Sequence, residues 1–325
     1  MQKTKYTIST SEPVEDVLNI VQKKLLSISE SESKHSNYIT QYLIFRGGKR
    51  LRPLLVTLSS LEQADVDDIA NIGAAAELIH TASLVHDDIV DDSKLRRGVQ
   101  TINSKWNNSV AVLVGDFLFA KAFEILGQYK DRNIIDQYTG AISMMSIGEL
   151  EQLKNRYNHR KSISQYYKEI RGKTGKLISV CCKSGAMLAE MQETDIEQIE
   201  NYGLEVGYAF QIIDDMLDIT GSPSSLGKPV FKDLVEGNIT LPMILLLEHS
   251  NQRSLLEEII ITRDFSDVNM KLIYKAMGDN QIPEIIFEIA KEHIANALAS
   301  LENTSNFYGK DRYKTLAEFV LKRKK

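Results

Sequence analysis

The sequence predicts an all-α protein whose 325 residues form one domain. Apolar residues recur at i, i+3 and i+4 through long windows, which is the spacing of one helix face. Alternating strand patterns bounded by turn dipeptides are nearly absent, and only six prolines and 18 glycines interrupt the chain. Because no change of composition indicates a linker, we expect a single domain that spans residues 1–325.

Helical windows follow one another along the chain. They cover residues 13–28, 35–46, 50–63, 65–92, 108–129, 133–154, 162–190, 193–220, 239–249, 253–262, 268–277, 283–303 and 311–323. Windows 72–90 and 204–219 are apolar almost all round, which is typical of helices in the middle of a large bundle. Segments 92–105, 155–162 and 221–238 are predicted to be loops.

Composition and charge exclude several classes of function. The chain is 43% hydrophobic and 26% charged with a net charge of −5, so no basic field attracts nucleic acid. No apolar run approaches the roughly 18 residues of a membrane span, and residues 1–7 lack the apolar core of a signal peptide. The two cysteines, Cys181 and Cys182, are adjacent and lack the spacing of a zinc site. We expect a cytoplasmic protein without a nucleic-acid partner.

Two Asp-Asp-x-x-Asp motifs lie far apart, each inside a helical window. The first is Asp87, Asp88 and Asp91, and the second is Asp214, Asp215 and Asp218. Within each motif the outer carboxylates share a helix face, and Mg²⁺ is commonly bound by one or two carboxylates together with substrate phosphates. One acidic cluster alone is usually a solvated helix face. Two copies beside apolar runs, where unpaired carboxylates are costly, favour a site for Mg²⁺ and a diphosphate.

Two basic clusters could bind the same anion. In the segment 47–53 (GGKRLRP), two glycines allow a close backbone approach and are followed by Lys and Arg donors that suit phosphate. The second cluster, 94–98, follows the first acidic window and contains Arg96 and Arg97. A basic surface turn is the alternative for the first cluster, and favourable charge at a helix C-terminus is the alternative for the second.

Single polar residues complete the candidate site. His80 lies two turns before Asp87 on the same helix stripe, although a lone His in an apolar helix is more often a core residue. The other candidates are Lys173 and Thr174, Gln211 one turn before the second acidic motif, and Lys228 in a Gly/Lys loop that could close over a phosphate.

Together these motifs resemble those of the trans-polyprenyl diphosphate synthases. The similar segments are GGKRLRP (47–53), ELIHTASLVHDDIVDDSKLRRG (77–98), GDFLFA (115–120), KTG (173–175), FQIIDDMLDI (210–219) and the loop 227–242. Their order and spacing agree over residues 41–245, and the chain resembles in particular catalytic subunits of heptaprenyl and hexaprenyl diphosphate synthases. The resemblance implies an isoprenoid synthase helical bundle around a central cavity, with the acidic motifs on opposing helices near its mouth.

The resemblance also implies a role for each residue. The six motif aspartates hold Mg²⁺, the cofactor, and act in catalysis with Lys173, Thr174 and Gln211. Arg96 faces the allylic diphosphate. Isopentenyl diphosphate is bound by Lys49, Arg52, His80 and Arg97. The allylic diphosphate is further supported by Lys173, Thr174, Gln211 and Lys228.

The activity implied is head-to-tail condensation of isopentenyl diphosphate onto an allylic diphosphate such as farnesyl diphosphate. Short-chain members of the family carry a bulky aromatic about one turn before the first acidic motif, where this chain has Ala82 and Ser83. We therefore expect an all-trans medium- or long-chain product, for the side chain of a quinone such as menaquinone. A farnesyl or geranylgeranyl diphosphate synthase is the alternative.

One departure from the family concerns its partners. In this family, the loop that closes over a phosphate (the lid) frequently contains Glu-Gly-Lys. The corresponding residues here are Glu236-Gly237-Asn238, a change also found in catalytic subunits of two-component enzymes. We expect a homodimer or a heterodimer with a small regulatory subunit, with transient membrane contact during product release. The basic residues 322–325 could reach the mouth of the site, but we expect them to solvate a helix end. A terpene cyclase, a non-catalytic subunit and a helical scaffold are the rival interpretations.

Overall fold

The computed structural model describes residues 11–28, 34–44, 48, 50–220 and 231–323. Helices dominate these residues, which confirms the all-α prediction. The first elements are α1 Glu12–Ile28, α2 Lys34–Ile44, α3 Leu51–Ser60, α4 Val66–Val90, β1 Leu95–Arg96, β2 Val99–Gln100, α5 Ile102–Lys105, α6 Asn108–Leu126, α7 Ile134–Lys154, α8 Ile163–Ile170, α9 Lys176–Leu188 and α10 Glu193–Thr220. Further helices are Lys232–Val235, Leu241–His249, Arg253–Thr262, Asp267–Asp279, Ile282–Glu302 and Lys310–Leu321.

The chain divides into two compact units. The first unit consists of Met1–Ile142, Val180–Glu200 and Asn303–Tyr313, and the second of Ser143–Ser179, Asn201–Glu302 and Lys314–Lys325. Each unit is built from three chain segments. That residues 1–325 behave as one domain stays a prediction.

Helix α4 is the centre of the first unit. It packs against α1, α3 and α6, and its residues from Ile72 to Ile79 are all buried. The helix begins where the Asp65 side chain accepts hydrogen bonds from the backbone N–H groups of Asp67 and Asp68. In the same unit Cys181 and Cys182 are fully buried free thiols. Because α4 is so apolar, it must be surrounded by other helices, which is the arrangement observed.

Helix Leu241–His249 is the most buried element of the second unit. Its residues from Leu241 to Leu247 are all buried, and Pro242 occupies its first turn, where a missing N–H costs nothing. The helix packs against α8 and against the three helices that follow it. In the part of the chain that the structure describes, no helix is both long and apolar enough to cross a membrane.

Three predicted segments differ from the structure. The predicted loop 221–238 contains the short helix Lys232–Val235, and its residues 221–230 lie outside the described residues. The window 162–190 is interrupted by a π-helical turn, Arg171–Gly175, between α8 and α9. Segment 92–105, predicted as a loop, contains the hairpin β1–β2 and the short helix α5. Strands of two residues are too short to produce an alternating pattern, so the sequence gives no sign of this hairpin.

Candidate active site

The first acidic motif lies at the C-terminal end of α4. Asp87 and Asp88 belong to the last turn, and Asp91 is the C-cap residue. The Asp88 side chain is buried, and its Oδ1 accepts a hydrogen bond from Arg96 Nε at 2.8 Å. Asn103 Nδ2 donates to the Asp88 carbonyl at 3.0 Å, which holds the following loop against the helix end. The structure thus brings Arg96 into direct contact with the first motif.

The turn of hairpin β1–β2 places Arg97 beside the glycine segment. Arg97 and Gly98 both have positive φ, 54° and 77°, as in the two-residue turns that match the twist of a hairpin. A Cβ added to Gly48 would lie 2.6 Å from Arg97 Nη1, so any other residue here would displace this guanidinium. Lys49, the other predicted cation here, lies outside the described residues.

A cavity of about 250 Å³ lies beside these residues. Its polar lining includes Glu77, His80, Asp88, Arg96 and Arg97, and its apolar lining includes Tyr42, Leu43, Leu84, Val85 and Ile102. Charged and apolar groups in one small cavity suit a molecule with an anionic head and a short hydrocarbon tail. The predicted product-length residues do not line it: Ala82 is fully buried, and Ser83 Oγ donates to the His80 carbonyl at 3.0 Å.

Several guanidinium groups lie close to His80 beside this cavity. Burial lowers the pKa of His80 well below its ordinary value, and the charges of Arg52, Arg97, Arg96 and Arg50 lower the pKa further. Burial also lowers the pKa of Arg52, whose Nε has no hydrogen-bond partner among the described residues. A neutral imidazole beside several guanidinium groups, one with an orphaned buried donor, is an arrangement that an anion would stabilise.

Arg50 has a structural role that the sequence did not reveal. Its backbone is left-handed with φ 51°, and its guanidinium donates to Glu77 Oε1 at 2.8 Å, to Gln22 Oε1 and to the Ile44 carbonyl. Arg50 therefore joins α1, α2 and α4 and is engaged by protein acceptors. The signal for it was Glu77, a carboxylate in an otherwise apolar window that requires a buried partner.

The second acidic motif lies on α10, in the second unit. Asp215 is buried and accepts hydrogen bonds from Tyr166 Oη at 2.6 Å and from Gln211 Nε2 at 2.8 Å. Burial raises the pKa of Asp215 to about 7, against these two bonds, which lower it. Asp214 is exposed. Thr174 Oγ1 donates to Gln211 Oε1 at 2.8 Å, so the structure brings Thr174, Gln211 and the motif together.

A further carboxylate, Asp233, joins this motif and was missed in the sequence. Its backbone N–H donates to Asp218 Oδ2 at 3.2 Å. Burial, followed by the charges of Asp215 and Asp218, raises the pKa of Asp233 well above its ordinary value. The only sequence signal was its place in the predicted lid loop, which includes Lys228; Lys228 lies outside the described residues.

Lys173 is held near the end of α7. Its Nζ lies 2.8 Å from Glu149 Oε2 and 2.9 Å from Gln152 Oε1. Lys173 belongs to the π-helical turn, a geometry that often occurs at functional sites. The turn thus presents a cation that is paired with the Glu149 carboxylate.

Arg323 corrects one prediction about the C-terminal basic residues. Its Nη2 lies 3.1 Å from Asp214 Oδ1, and its guanidinium stacks at 4.0 Å from the centroid of the Phe210 ring. The expectation that residues 322–325 only solvate a helix end is therefore wrong for Arg323. The ion pair and the cation–π contact together favour this position over solvent. Lys324 and Lys325 lie outside the described residues.

The donor chemistry of both motifs fits a hard divalent cation. Every side chain in them offers carboxylate oxygen, the ligand that Mg²⁺ and Ca²⁺ prefer. Within the described ranges, no three His, Cys, Asp or Glu side chains are grouped closely enough to hold a metal by themselves. Metal binding by these six aspartates stays a prediction.

Comparison with known proteins agrees with the fold and the motifs. Residues 33–277 match the family model of polyprenyl synthetase. The chain is 30% identical over 310 residues to the heptaprenyl diphosphate synthase component 2 of Bacillus subtilis (95% of this chain, 88% of that protein). It is 33% identical over 309 residues to the protein of the same name from Geobacillus stearothermophilus (95% and 96%).

A solved structure gives the same result. The polyprenyl synthase of Caulobacter crescentus CB15, complexed with calcium and isoprenyl diphosphate, superposes with a TM-score of 0.89 at 30% identity over 99% of both chains. The chain therefore shares its all-α fold with polyprenyl synthases. This chain belongs to the polyprenyl synthetase family and is a prenyltransferase.

Proposed function

We propose that the chain condenses isopentenyl diphosphate head-to-tail onto an allylic diphosphate such as farnesyl diphosphate. The product is an all-trans medium- or long-chain polyprenyl diphosphate, destined for the side chain of a quinone such as menaquinone. The observation that carries the proposal is the cavity of about 250 Å³, where cations and apolar side chains meet beside Asp88. Its size and lining suit a five-carbon tail attached to a diphosphate.

The residues divide the work between the two substrates. Arg52, Arg97, Lys49 and neutral His80 bind the isopentenyl diphosphate, His80 through a hydrogen bond rather than a charge. Arg96 binds the allylic diphosphate, which Lys173, Thr174, Gln211 and Lys228 also support. The six motif aspartates hold Mg²⁺, which when bound neutralises charge on the departing diphosphate. The calcium complex of the Caulobacter relative supports a divalent cation in this role.

The reaction then follows from electrostatic stabilisation. As the allylic C–O bond breaks, its electron pair leaves with the diphosphate, and the surrounding cations stabilise the developing negative charge. The isopentenyl double bond attacks the allylic carbocation and forms the new C–C bond. The resulting cation loses a proton to the departed diphosphate, with Thr174 and Gln211 as neighbouring polar groups. Apolar walls keep water away from the cation.

Incubation of the purified chain with Mg²⁺, labelled isopentenyl diphosphate and farnesyl diphosphate tests this function. We expect products longer than C20 when the chain lengths are resolved. Products that stop at farnesyl or geranylgeranyl diphosphate would support the short-chain alternative. Absence of any condensation, both alone and with a partner subunit, would contradict the proposal.

Replacement of an aspartate in either motif should abolish most of the activity. Asp87→Ala and Asp214→Ala each remove a carboxylate ligand, so we expect turnover to fall on the order of a hundredfold or more. Asp136→Ala, at an exposed position in the first turn of α7, is the control and should leave turnover near that of wild type. Near-wild-type turnover in both motif variants would exclude a metal role for these aspartates.

Product length is expected to depend on the helix before the first motif. Ala82→Phe and Ser83→Phe should each shorten the products, because an aromatic ring there would close the path of the growing chain. Chain-length analysis against Ala120→Phe, at an exposed position on α6, separates this effect from added bulk. If both variants make products of wild-type length, the end of the product path lies elsewhere.

We also propose that the enzyme works as a dimer in the cytoplasm. The relatives from Bacillus and Geobacillus are each named component 2, which supports a heterodimer with a small regulatory subunit. A homodimer remains the alternative, and transient membrane contact would accompany release of a long product. The buried free thiols of Cys181 and Cys182 are compatible with a reducing compartment. Inactivity that a partner subunit rescues would identify the two-component case.

A further inference from the structure

Gln152 joins two segments of the second unit that both serve the proposed reaction. Its Oε1 accepts a hydrogen bond from Lys173 Nζ at 2.9 Å, and its Nε2 donates to Asn238 Oδ1 at 2.8 Å. An ammonium group can only donate, so Lys173 fixes the orientation of the amide. The Gln152 oxygen must face Lys173, and its NH₂ group must face Asn238.

Asn238 belongs to a segment that is anchored on the second acidic motif. The backbone N–H groups of Phe231 and Asp233 donate to the carbonyl and to Oδ2 of Asp218, at 3.0 Å and 3.2 Å. At the other end of the segment, the Asn238 N–H donates to the Asp233 carbonyl at 2.8 Å. Through Gln152, the segment 231–238 therefore connects Asp218 with Lys173.

A close backbone approach brings Gln152 within reach of Lys173. A Cβ added to Gly172 would lie 2.5 Å from the Met144 carbonyl, and one added to Gly148 would lie 3.2 Å from the Lys173 nitrogen. At Gly172 any Cβ would force α7 and the π-helical turn apart, and at Gly148 it would be a tight contact. The arrangement is thus specified by the sequence at several positions and is not a chance contact of long side chains.

We propose that Gln152 is a positioning residue that couples Asn238 to Lys173, so that the segment 231–238 and the phosphate-binding lysine act as one hydrogen-bonded unit. The inference rests on the proposed function, in which Lys173 binds the allylic diphosphate. It also explains why position 238 is uncharged. An ammonium group at position 238 would oppose the NH₂ group of Gln152, donor against donor, and would draw the amide oxygen away from Lys173.

A double-mutant cycle tests the coupling. The readouts are calorimetric affinity of the full chain for inorganic pyrophosphate with Mg²⁺, and the KM for the allylic diphosphate. Gln152→Leu and Asn238→Leu should each weaken pyrophosphate affinity about tenfold, as expected for losing a hydrogen-bonded link to a charged group. The double variant should be no weaker than either single variant. Gln137→Leu, the same replacement elsewhere on α7, is the control and should bind as wild type does.

An exchange of the two amides separates positioning from simple structural support. Gln152→Asn shortens one side of the link, and Asn238→Gln lengthens the other by the same methylene. The combined exchange should recover at least half of the pyrophosphate affinity that Gln152→Asn loses. Asn238→Lys should weaken binding although it adds a positive charge, and Gln152→Glu in the same chain should relieve that defect.

The outcomes distinguish this inference from the proposed function. Suppose that the wild-type chain binds pyrophosphate. If the single variants then bind as tightly as wild type, or if their effects add in the double variant, the coupling alone is overturned. Tighter binding by Asn238→Lys also overturns it. A wild-type chain that binds no pyrophosphate in the presence of Mg²⁺ overturns the proposed function and the coupling together.

Discussion

His80 shows how a single residue takes its properties from the residues around it. Its position on the stripe of Asp87 was visible in the sequence, but its charge state was not. Burial lowers the pKa of His80, and four arginines lower it further. These arginines lie in α3, in hairpin β1–β2 and in the turn before α3. Only the folded chain brings these groups together, so the sequence predicted a ligand-binding residue without predicting a neutral one.

The depressed pKa of His80 makes stability depend on pH in a defined direction. Below about pH 6.5 the unfolded chain protonates this imidazole while the folded chain does not. The stability contribution is therefore complete above pH 6.5 and is lost as the pH falls toward the folded pKa, by at most about 1.4 kcal/mol per pH unit. Urea unfolding of wild type and His80→Gln between pH 5 and 8 should show a shallower acid loss in the variant. Parallel profiles would contradict this account.

The π-helical turn shows what a helical period can and cannot predict. The window 162–190 has helical spacing throughout, and helices α8 and α9 occupy it. At the break Arg171–Gly175 the backbone passes close to a neighbour, since a Cβ added to Gly172 would lie 2.5 Å from the Met144 carbonyl of α7. Hydrophobic periodicity predicts which helix faces are buried. A close backbone approach between distant segments is indicated in the sequence only by a glycine. Arg323 was misjudged for the same reason, because its partner Asp214 is distant in the chain.

Two glycine-to-alanine replacements on neighbouring helical elements should have opposite effects on stability. Gly172→Ala forces a Cβ to within 2.5 Å of a backbone oxygen, and we expect a loss of about 1–3 kcal/mol in the free energy of unfolding. Gly140→Ala, on α7, meets nothing within 4 Å and should gain up to about 1 kcal/mol, because alanine loses less entropy in a helix. Denaturant titration measures both. A neutral Gly172→Ala would show that the turn can shift without cost.

At the scale of the whole molecule, the two compact units are defined by which chain segments contact one another, and not by the composition of those segments. Six chain segments alternate between the two compact units, and the boundaries after Ile142, Ser179 and Glu200 fall within α7, α9 and α10. The sequence predicted the helices because the apolar face of each helix is formed by residues that are close together in the chain. It gave no sign of two units, because contacts and not composition define them.

The interleaved segments predict that the chain unfolds in one step. Neither unit can unfold alone without breaking helices that continue into the other, so a single domain is the expected behaviour. Calorimetry should give one transition, with the calorimetric enthalpy equal to the van't Hoff enthalpy. Two resolved transitions, or an enthalpy ratio well above one, would contradict the prediction of one domain for residues 1–325.

The adjacent thiols of Cys181 and Cys182 can report how often the first unit opens. Both are fully buried, and burial raises the pKa of Cys181 to about 12 and raises that of Cys182 as well. A thiol-specific reagent attacks the thiolate, so neither sulfur can react until the first unit opens and water enters. The rate of modification in the native protein therefore measures the frequency of that opening without any introduced label.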